Sequence, residues 1–307
     1  MKTKINYLLL STVVFILFAT NITQAAKPNF ILIFIDDQGY GDLSCFGSQK
    51  IRTPNIDRLS TEGRKFTSFM VASPVCTPSR AALLTGCYPK RVGMHQHVLF
   101  PSSTRGLNPQ EHTLGDHLKS AGYATACVGK WGVGTPDNFT NPNDVGFDHF
   151  FGYVNMWHAH NCYPEFLIRN GKVVKLQNEV APKWKKWQDP KLPQAGRGVA
   201  AKRVEYAPDL FAEDALRFIR ENHQRPFFLY FAMNVPHANN EAGNAGMEVP
   251  DLGKFAKKDW PAPEKGFAAM IKNIDRDTGR ILDLLRELKI ADHTLVLFTS
   301  DNGPHQE

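Results

Sequence analysis

The sequence predicts an α/β fold, a mixed, mainly parallel central sheet flanked by helices. Three observations predict it. Short apolar runs alternate with stretches of helical periodicity along the chain. The strongest runs, residues 30–35 and 227–233, show no polar alternation, as expected of strands covered on both faces. Four of the apolar runs also end in polar residues, the pattern expected where parallel strands deliver a site at their carboxyl ends.

Taken in order, residues 30–35 form the first buried strand. Thr53, Pro54 and Asn55 start a helix that runs to about Glu62, where Gly63 stops it. Residues 66–71 read as a short strand. Residues 78–85 read as a helix, with Pro78 at its start and Gly86 at its end. A helix over 113–121 ends at Gly122, and a strand over 123–128 follows. Residues 153–208 have little periodicity and many Pro, Lys and Asn, and read as a long insertion over one edge of the domain. Asp209 caps a helix to about Asn222, and residues 227–233 are a strand. In the long helix 264–288, Ile271, Ile274, Ile281, Leu285 and Leu288 share one face. Residues 294–299 close the series as another buried strand.

Composition narrows the class. With 307 residues, 42% hydrophobic and 21% charged, the chain is neither disordered, collagen-like nor a multi-span membrane protein. Twenty-one Phe support a sizeable core. The formal charge of +6 is scattered, apart from Lys183, Lys185 and Lys186 interleaved with Trp184 and Trp187. That run reads as a solvated loop rather than a nucleic-acid stripe, so no nucleic-acid partner is expected. An anionic small substrate suits a mildly basic protein.

Lys2 and Lys4 precede an apolar stretch over residues 7–20, and Thr23, Gln24, Ala25 and Ala26 follow. This is the order of a secretory signal peptide over residues 1–25, or of an N-terminal anchor where cleavage does not occur. The apolar stretch is short for a membrane span. The expected location is secreted, periplasmic or lumenal, with no stable span after cleavage, and residues 26–307 form the mature part. Five cysteines follow residue 26, and an odd count in an exported chain leaves one unpaired.

The polar residues after the strands are Asp36 and Asp37, Gly129 and Lys130, Asn234 to His237, and Asp301 and Asn302. Asp36, Asp37, Asp301 and Asn302 form an all-oxygen set with three formal negative charges, costly to assemble without a cation. Oxygen donors without His or Cys favour Ca²⁺ or Mg²⁺ over Zn²⁺. Cys76 stands where a helix begins, so free N–H groups and the helix dipole favour anionic character there. Arg80 follows one turn later. The alternative for Cys76 is half of a disulfide.

Cys76-x-Pro78-Ser79-Arg80-x-x-x-x-Thr85-Gly86 resembles the signature of the sulfatase family. Asp36-Asp37-Gln38-Gly39-Tyr40-Gly41, Thr53-Pro54-Asn55-Ile56-Asp57-Arg58-Leu59, Gly129-Lys130-Trp131, Gly146-Phe147-Asp148, Pro226-Phe227-Phe228-Leu229 and Ser300-Asp301-Asn302-Gly303 are similar to further family motifs. The resemblance spans Lys27 to the last residue, and the stretch 98–103 is similar to the arylsulfatase A-like branch.

The resemblance implies an alkaline-phosphatase-like sandwich and hydrolysis of a sulfate monoester, an aryl sulfate or a sulfated glycan. It implies that a separate maturation enzyme oxidises Cys76 to Cα-formylglycine, whose hydrate is the nucleophile, with Asp301 accepting its proton. It implies Ca²⁺ held by Asp36, Asp37, Asp301, Asn302 and the modified Cys76. Arg80 and Lys130 hold the nucleophile and the sulfate oxygens, and His237 serves the departing oxygen. Two positions depart from the family pattern. Many members have a His after Lys-Trp where this chain has Gly132, so His95, His97, His158 or His160 replaces it, or none does. A further catalytic lysine and a C-terminal subdomain are implied downstream, whereas the sequence stops at Glu307, which reads as an incomplete N-terminal catalytic domain. The competing readings are a phosphonate or phosphodiester hydrolase with the same nucleophile, and a truncated, inactive fragment that binds Ca²⁺ or an anion.

Overall fold

The computed structural model describes residues 27–100, 103, 105–134, 141–192 and 194–304. The signal-peptide segment, residues 1–25, and part of the 98–103 stretch lie outside the described residues.

Parallel pairing of apolar segments builds the centre. Strand β1 (Asn29–Ile35) lies between β8 (Phe227–Ala232) and β9 (Thr294–Ser300), parallel to both. On the far side of β8 come β2 (Ala124–Lys130) and β3 (His149–Tyr153), also parallel. Two short antiparallel strands, β4 (Phe166–Arg169) and β5 (Lys172–Lys175), complete a seven-stranded sheet of order β5-β4-β3-β2-β8-β1-β9. A separate two-stranded sheet pairs β6 (Glu179–Val180) with β7 (Ala200–Lys202).

The lack of polar alternation in the central strands follows from cover on both faces. Ile31, Ile33 and Ile35 of β1 join Phe227, Leu229 and Phe231 of β8 in one core layer, with α1 (Pro54–Glu62), α5 (Ala207–Asn222) and α6 (Ala262–Glu287). Leu32, Phe34, Phe228 and Tyr230 face the other layer, with α2 (Cys76–Thr85) and α3 (Leu114–Ser120). The predicted one-sided face of the long helix is observed: Ile271, Ile274, Ile281 and Leu285 are all buried. No described helix is long and apolar enough to cross a membrane.

Several expectations are corrected. Residues 66–71 form no strand: Phe66, Phe69 and Met70 are 65%, 70% and 86% exposed and find no strand to pair with. The helix expected from Pro78 starts at Cys76, because Val75 is the extended residue before it and Pro78 is tolerated in a first turn. Asp209 does not cap α5. The capping position is Tyr206, and Asp209 lies in the first turn, paired with Arg276 at 2.5 Å. The strand over 294–299 is not buried. It is a sheet edge among the described residues, and Leu295 and Leu297 are 50% and 43% exposed. The 153–208 stretch does more than cover an edge, since it supplies β4 and β5 to the sheet and the helix α4 (Met156–His160). All five cysteines are unpaired. The sheet itself separates Cys127 from Cys162, which lie in opposite core layers.

The basic run is the solvated turn expected. Lys183 and Lys186 lie over their neighbours Trp184 and Trp187, and Lys185 pairs with Glu165.

Helix α1 is tied to the long helix by a borrowed cap. Buried Asp275 of α6 accepts hydrogen bonds from Asn55 N at 2.8 Å and Ile56 N at 3.0 Å. The carboxylate satisfies two donors that the start of a helix otherwise leaves open. Asp275→Ala is expected to cost about 2 kcal/mol, read as a lower denaturation midpoint at unchanged slope.

His158 is buried against Tyr153 and Phe166, and its Nε2 donates to Phe166 O at 2.8 Å. Burial lowers its pKa from 6.5 to about 4. The folded state therefore binds this proton less readily than the unfolded chain, and stability falls as pH drops from 6.5 toward 4. The loss reaches about 3 kcal/mol at most. His158→Gln should flatten that limb of a stability–pH profile.

Candidate active site

Five neighbouring parallel strands end at one edge of the sheet, so the residues after them are forced together. Beyond β1 stand Asp36 and Asp37; beyond β9 stand Asp301 and Asn302; Lys130 closes β2; His237 lies on the loop after β8. Asp301 N donates to Ile35 O at 2.9 Å and Met233 N to Phe34 O at 2.8 Å, so the backbone pairing continues into the site. Asp37 takes a left-handed φ of 62° and turns its amide onto Asp301 Oδ1 at 3.1 Å. Such a conformation is uncommon for a non-glycine residue and clusters at functional sites.

Helix α2 enters from the other layer with Cys76 at its first position and Arg80 one turn on. Arg80 is fully buried, its guanidinium 5.2 Å from the ring centre of Phe34. Its Nε and Nη2 donate to Asp301 Oδ2 at 3.1 and 2.8 Å, and Nη1 donates to Lys130 O at 2.9 Å. Nη2 also lies 3.3 Å from Asp36 Oδ1. Lys130 Nζ donates to Asp36 Oδ2 at 2.5 Å. Asn302 Nδ2 donates to Asp37 Oδ1 at 2.5 Å, and His237 Nε2 is 3.6 Å from Asp37 Oδ2. The eight residues singled out from the sequence, Asp36, Asp37, Cys76, Arg80, Lys130, His237, Asp301 and Asn302, therefore form one buried cluster.

Electrostatics follow from that burial. Desolvation alone would raise Asp36, but Lys130 and Arg80 outweigh it and hold its carboxyl far below the usual range. Asp301 moves the other way, up to about 8, through burial and the charge of Asp36. Burial pushes the Cys76 thiol up to about 12, so the unmodified side chain is a poor thiolate.

The donor set fits a hard cation. Ligand atoms of Asp36, Cys76 and Asp301 all lie within 4.8 Å of one another. Asp36 Oδ1 and Asn302 Oδ1 are buried and accept no hydrogen bond. Orphaned oxygens beside crowded carboxylates are what an oxygen-coordinated divalent ion satisfies.

Of the four histidines that could replace the one absent at Gly132, His158 belongs to the core, and His95 and His97 are exposed, His97 tilted against Phe100. His160 reaches the site, with its ring 4.8 Å from that of His237. The backbone N–H of Gln38, inside the Asp36–Gly41 motif, donates to Ser300 Oγ at 3.0 Å, whereas Glu241 and Arg197 behind His160 carry no signal in the sequence. Glu241 sits in a stretch with no periodicity, and only the fold brings it close.

A mainly parallel sheet with helices on both faces, an Asp pair facing an Asp-Asn pair, and a helix-terminal Cys beside buried Arg and Lys define the alkaline-phosphatase-like class. Within that class the sulfatase family profile matches residues 28–307, and the chain belongs to the sulfatase family. It is 34% identical to human arylsulfatase A over 305 residues, covering 93% of this chain and 54% of that protein. It is 35% identical to the N-acetylgalactosamine-6-sulfatase of Canis lupus familiaris over 289 residues, covering 90% and 50%. The crystal structure of Ps i-CgsB superposes with a TM-score of 0.73 at 32% identity, covering 91% of this chain and 59% of that one. The same protein in complex with k-i-k-neocarrahexaose gives 0.73 at 31%. The chain thus spans about half the length of the curated relatives it matches.

Gly132 adopts a φ of +75°, and a Cβ there would lie 2.9 Å from Arg80 Cδ. Gly132→Ala is therefore expected to lower the thermal midpoint, at a cost of about 1–2 kcal/mol, and to weaken anion binding by displacing Arg80.

Proposed function

We propose that the protein is a sulfatase that hydrolyses sulfate monoesters at this cluster, with Cys76 as the precursor of the nucleophile. The observation that carries the reading is the meeting of Asp36, Cys76 and Asp301 donor atoms within 4.8 Å, beside buried Arg80 and Lys130. Asp36, Asp37, Asp301 and Asn302 would hold a Ca²⁺, with Mg²⁺ the alternative. Bound there, a divalent ion and a Cα-formylglycine made from Cys76 supply Lewis acidity and an oxygen nucleophile.

The chain's own residues do the rest. Cys76 sits at a helix start, where unpaired N–H groups favour negative charge. Arg80 and Lys130 place two cations beside it, oriented by carboxylates, to receive sulfate oxygens and the charge that develops on them. Phe34, under the Arg80 guanidinium, packs in turn on fully buried Tyr230, so the cation is backed by an apolar layer. His237 Nδ1 donates to Ala238 O at 2.7 Å, so its Nε2 faces the carboxylates, and in the imidazolium form that nitrogen is placed to protonate a departing oxygen.

The substrate class we propose is a sulfated glycan, supported by the likeness to an N-acetylgalactosamine-6-sulfatase and to Ps i-CgsB in complex with k-i-k-neocarrahexaose. Export by the N-terminal segment and maturation by a formylglycine-generating enzyme belong to the same proposal.

Mass spectrometry of the peptide holding Cys76 should show a loss of about 18 Da relative to cysteine. Turnover of an aryl sulfate should exceed that of the matching aryl phosphodiester, and Asp36→Ala should abolish both turnover and the Ca²⁺-induced rise in thermal midpoint. An unmodified thiol, or a preference for the phosphodiester, overturns the reading.

A further inference from the structure

We propose that His160 is a positioning residue for His237: it holds the plane of that ring by stacking on its face, and Glu241 with Arg197 holds His160 in turn. The inference rests on the role given above to His237. The two imidazoles lie 4.8 Å apart, centroid to centroid, and 15° from parallel. The hydrogen bond from His237 Nδ1 to Ala238 O and the approach of Nε2 to Asp37 Oδ2 at 3.6 Å anchor the ring at its two nitrogens. The parallel face of His160 opposes tilting of the ring about the line through those nitrogens.

His160 is itself constrained. It ends α4, whose start is capped by Asn155 Oδ1 accepting from His158 N at 2.8 Å. Its Nδ1 lies 3.4 Å from Glu241 Oε2, and both atoms are buried without a closer hydrogen bond. The other oxygen of Glu241 accepts from Arg197 Nε at 2.8 Å. Arg197 is clamped over Trp157, 4.0 Å from the ring centre. Glu241 N donates to Asn239 Oδ1 at 3.2 Å, and Asn239 bonds Gly198 O and Glu248. A buried carboxylate tied this way is costly to misplace, so the chain from Trp157 to His160 is stiff.

Protonation of the departing oxygen matters most when that oxygen is strongly basic. A loss of His237 alignment should therefore grow with leaving-group basicity, whereas general loosening would not discriminate. The test compares His160→Ala and Glu241→Gln in the full chain on 4-nitrophenyl sulfate and unsubstituted phenyl sulfate. His160→Ala should lower kcat by about 100-fold on phenyl sulfate and about threefold on 4-nitrophenyl sulfate, with KM little changed. Glu241→Gln should follow the same order with about tenfold on phenyl sulfate. Equal losses on both esters, or none on phenyl sulfate, overturn the proposal. A second readout needs no turnover. The His237 Nδ1–H proton should be protected from solvent exchange in the parent protein, and lose that protection in His160→Ala by imidazole NMR. If neither ester is hydrolysed, the proposed function fails and the NMR still decides, since a proton equally protected in both proteins overturns the positioning role.

Discussion

The molecule is organised around one constraint, the burial of Asp36 and Asp301 with Arg80 and Lys130 in a space closed to water. An ionised group in such a place is tolerated only when its partners are fixed, and removal of one partner from a buried pair costs about 3–5 kcal/mol. The partners come from three strands and a helix, so the cluster can exist only when the sheet order is right. Asp36 and Asp301 end adjacent strands, β1 and β9, and Lys130 ends β2, two strands away across β8. Arg80 reaches across from α2 and bonds both ends, to Asp301 and to the carbonyl of Lys130. The guanidinium fork suits this bridging role, and a lysine there could not make the same set of bonds.

From that cluster the site divides into two sides. The Cys76 side is built on regular elements, the start of α2 and the strand ends, and inherits their rigidity. The His237 side is built on loops, and loops hold a side chain only when something else stiffens them. Here the stiffening comes from the 153–208 stretch and residues 239–241, through His160, Glu241 and Arg197. The same stretch that extends the sheet with β4 and β5 thus also reaches into the site.

Much of this was legible in the sequence, and the reason is physical. Parallel strands covered on both faces must be continuously apolar, so residues 30–35 and 227–233 announce themselves, and whatever follows them must lie at one edge. That rule alone picks out Asp36, Lys130, His237 and Asp301. The misses share a cause. An apolar run such as 66–71 carries β-propensity, but a strand also needs a partner, and pairing is a property of the whole fold. The exposed edge of β9 was misread for the same reason: Leu295 and Leu297 are as apolar as Ile31 and Ile33, and only neighbouring layers distinguish them. Glu241 and Arg197 were invisible because they act across some forty residues of irregular chain, where no periodicity links them.

Charge balance connects the cation to the anion. The cluster brings three carboxylates, Asp36, Asp37 and Asp301, against two cations, Arg80 and Lys130, and both cations are already engaged with carboxylate oxygens. Burial and the charge of Asp36 push Asp301 up to about 8, so the three carboxylates resist being ionised together without further positive charge. A divalent cation held among the same oxygens, as proposed above, would favour the ionised form of all three. It would also give the carboxylates another partner, so that Arg80 and Lys130 could turn part of their hydrogen-bonding capacity to sulfate oxygens. On the proposed function, metal and sulfate ester would favour each other's binding through these side chains, and by linkage the coupling would be equal in both directions. On that proposal, the crowding of carboxylates that costs stability would be what couples anion binding to the cation.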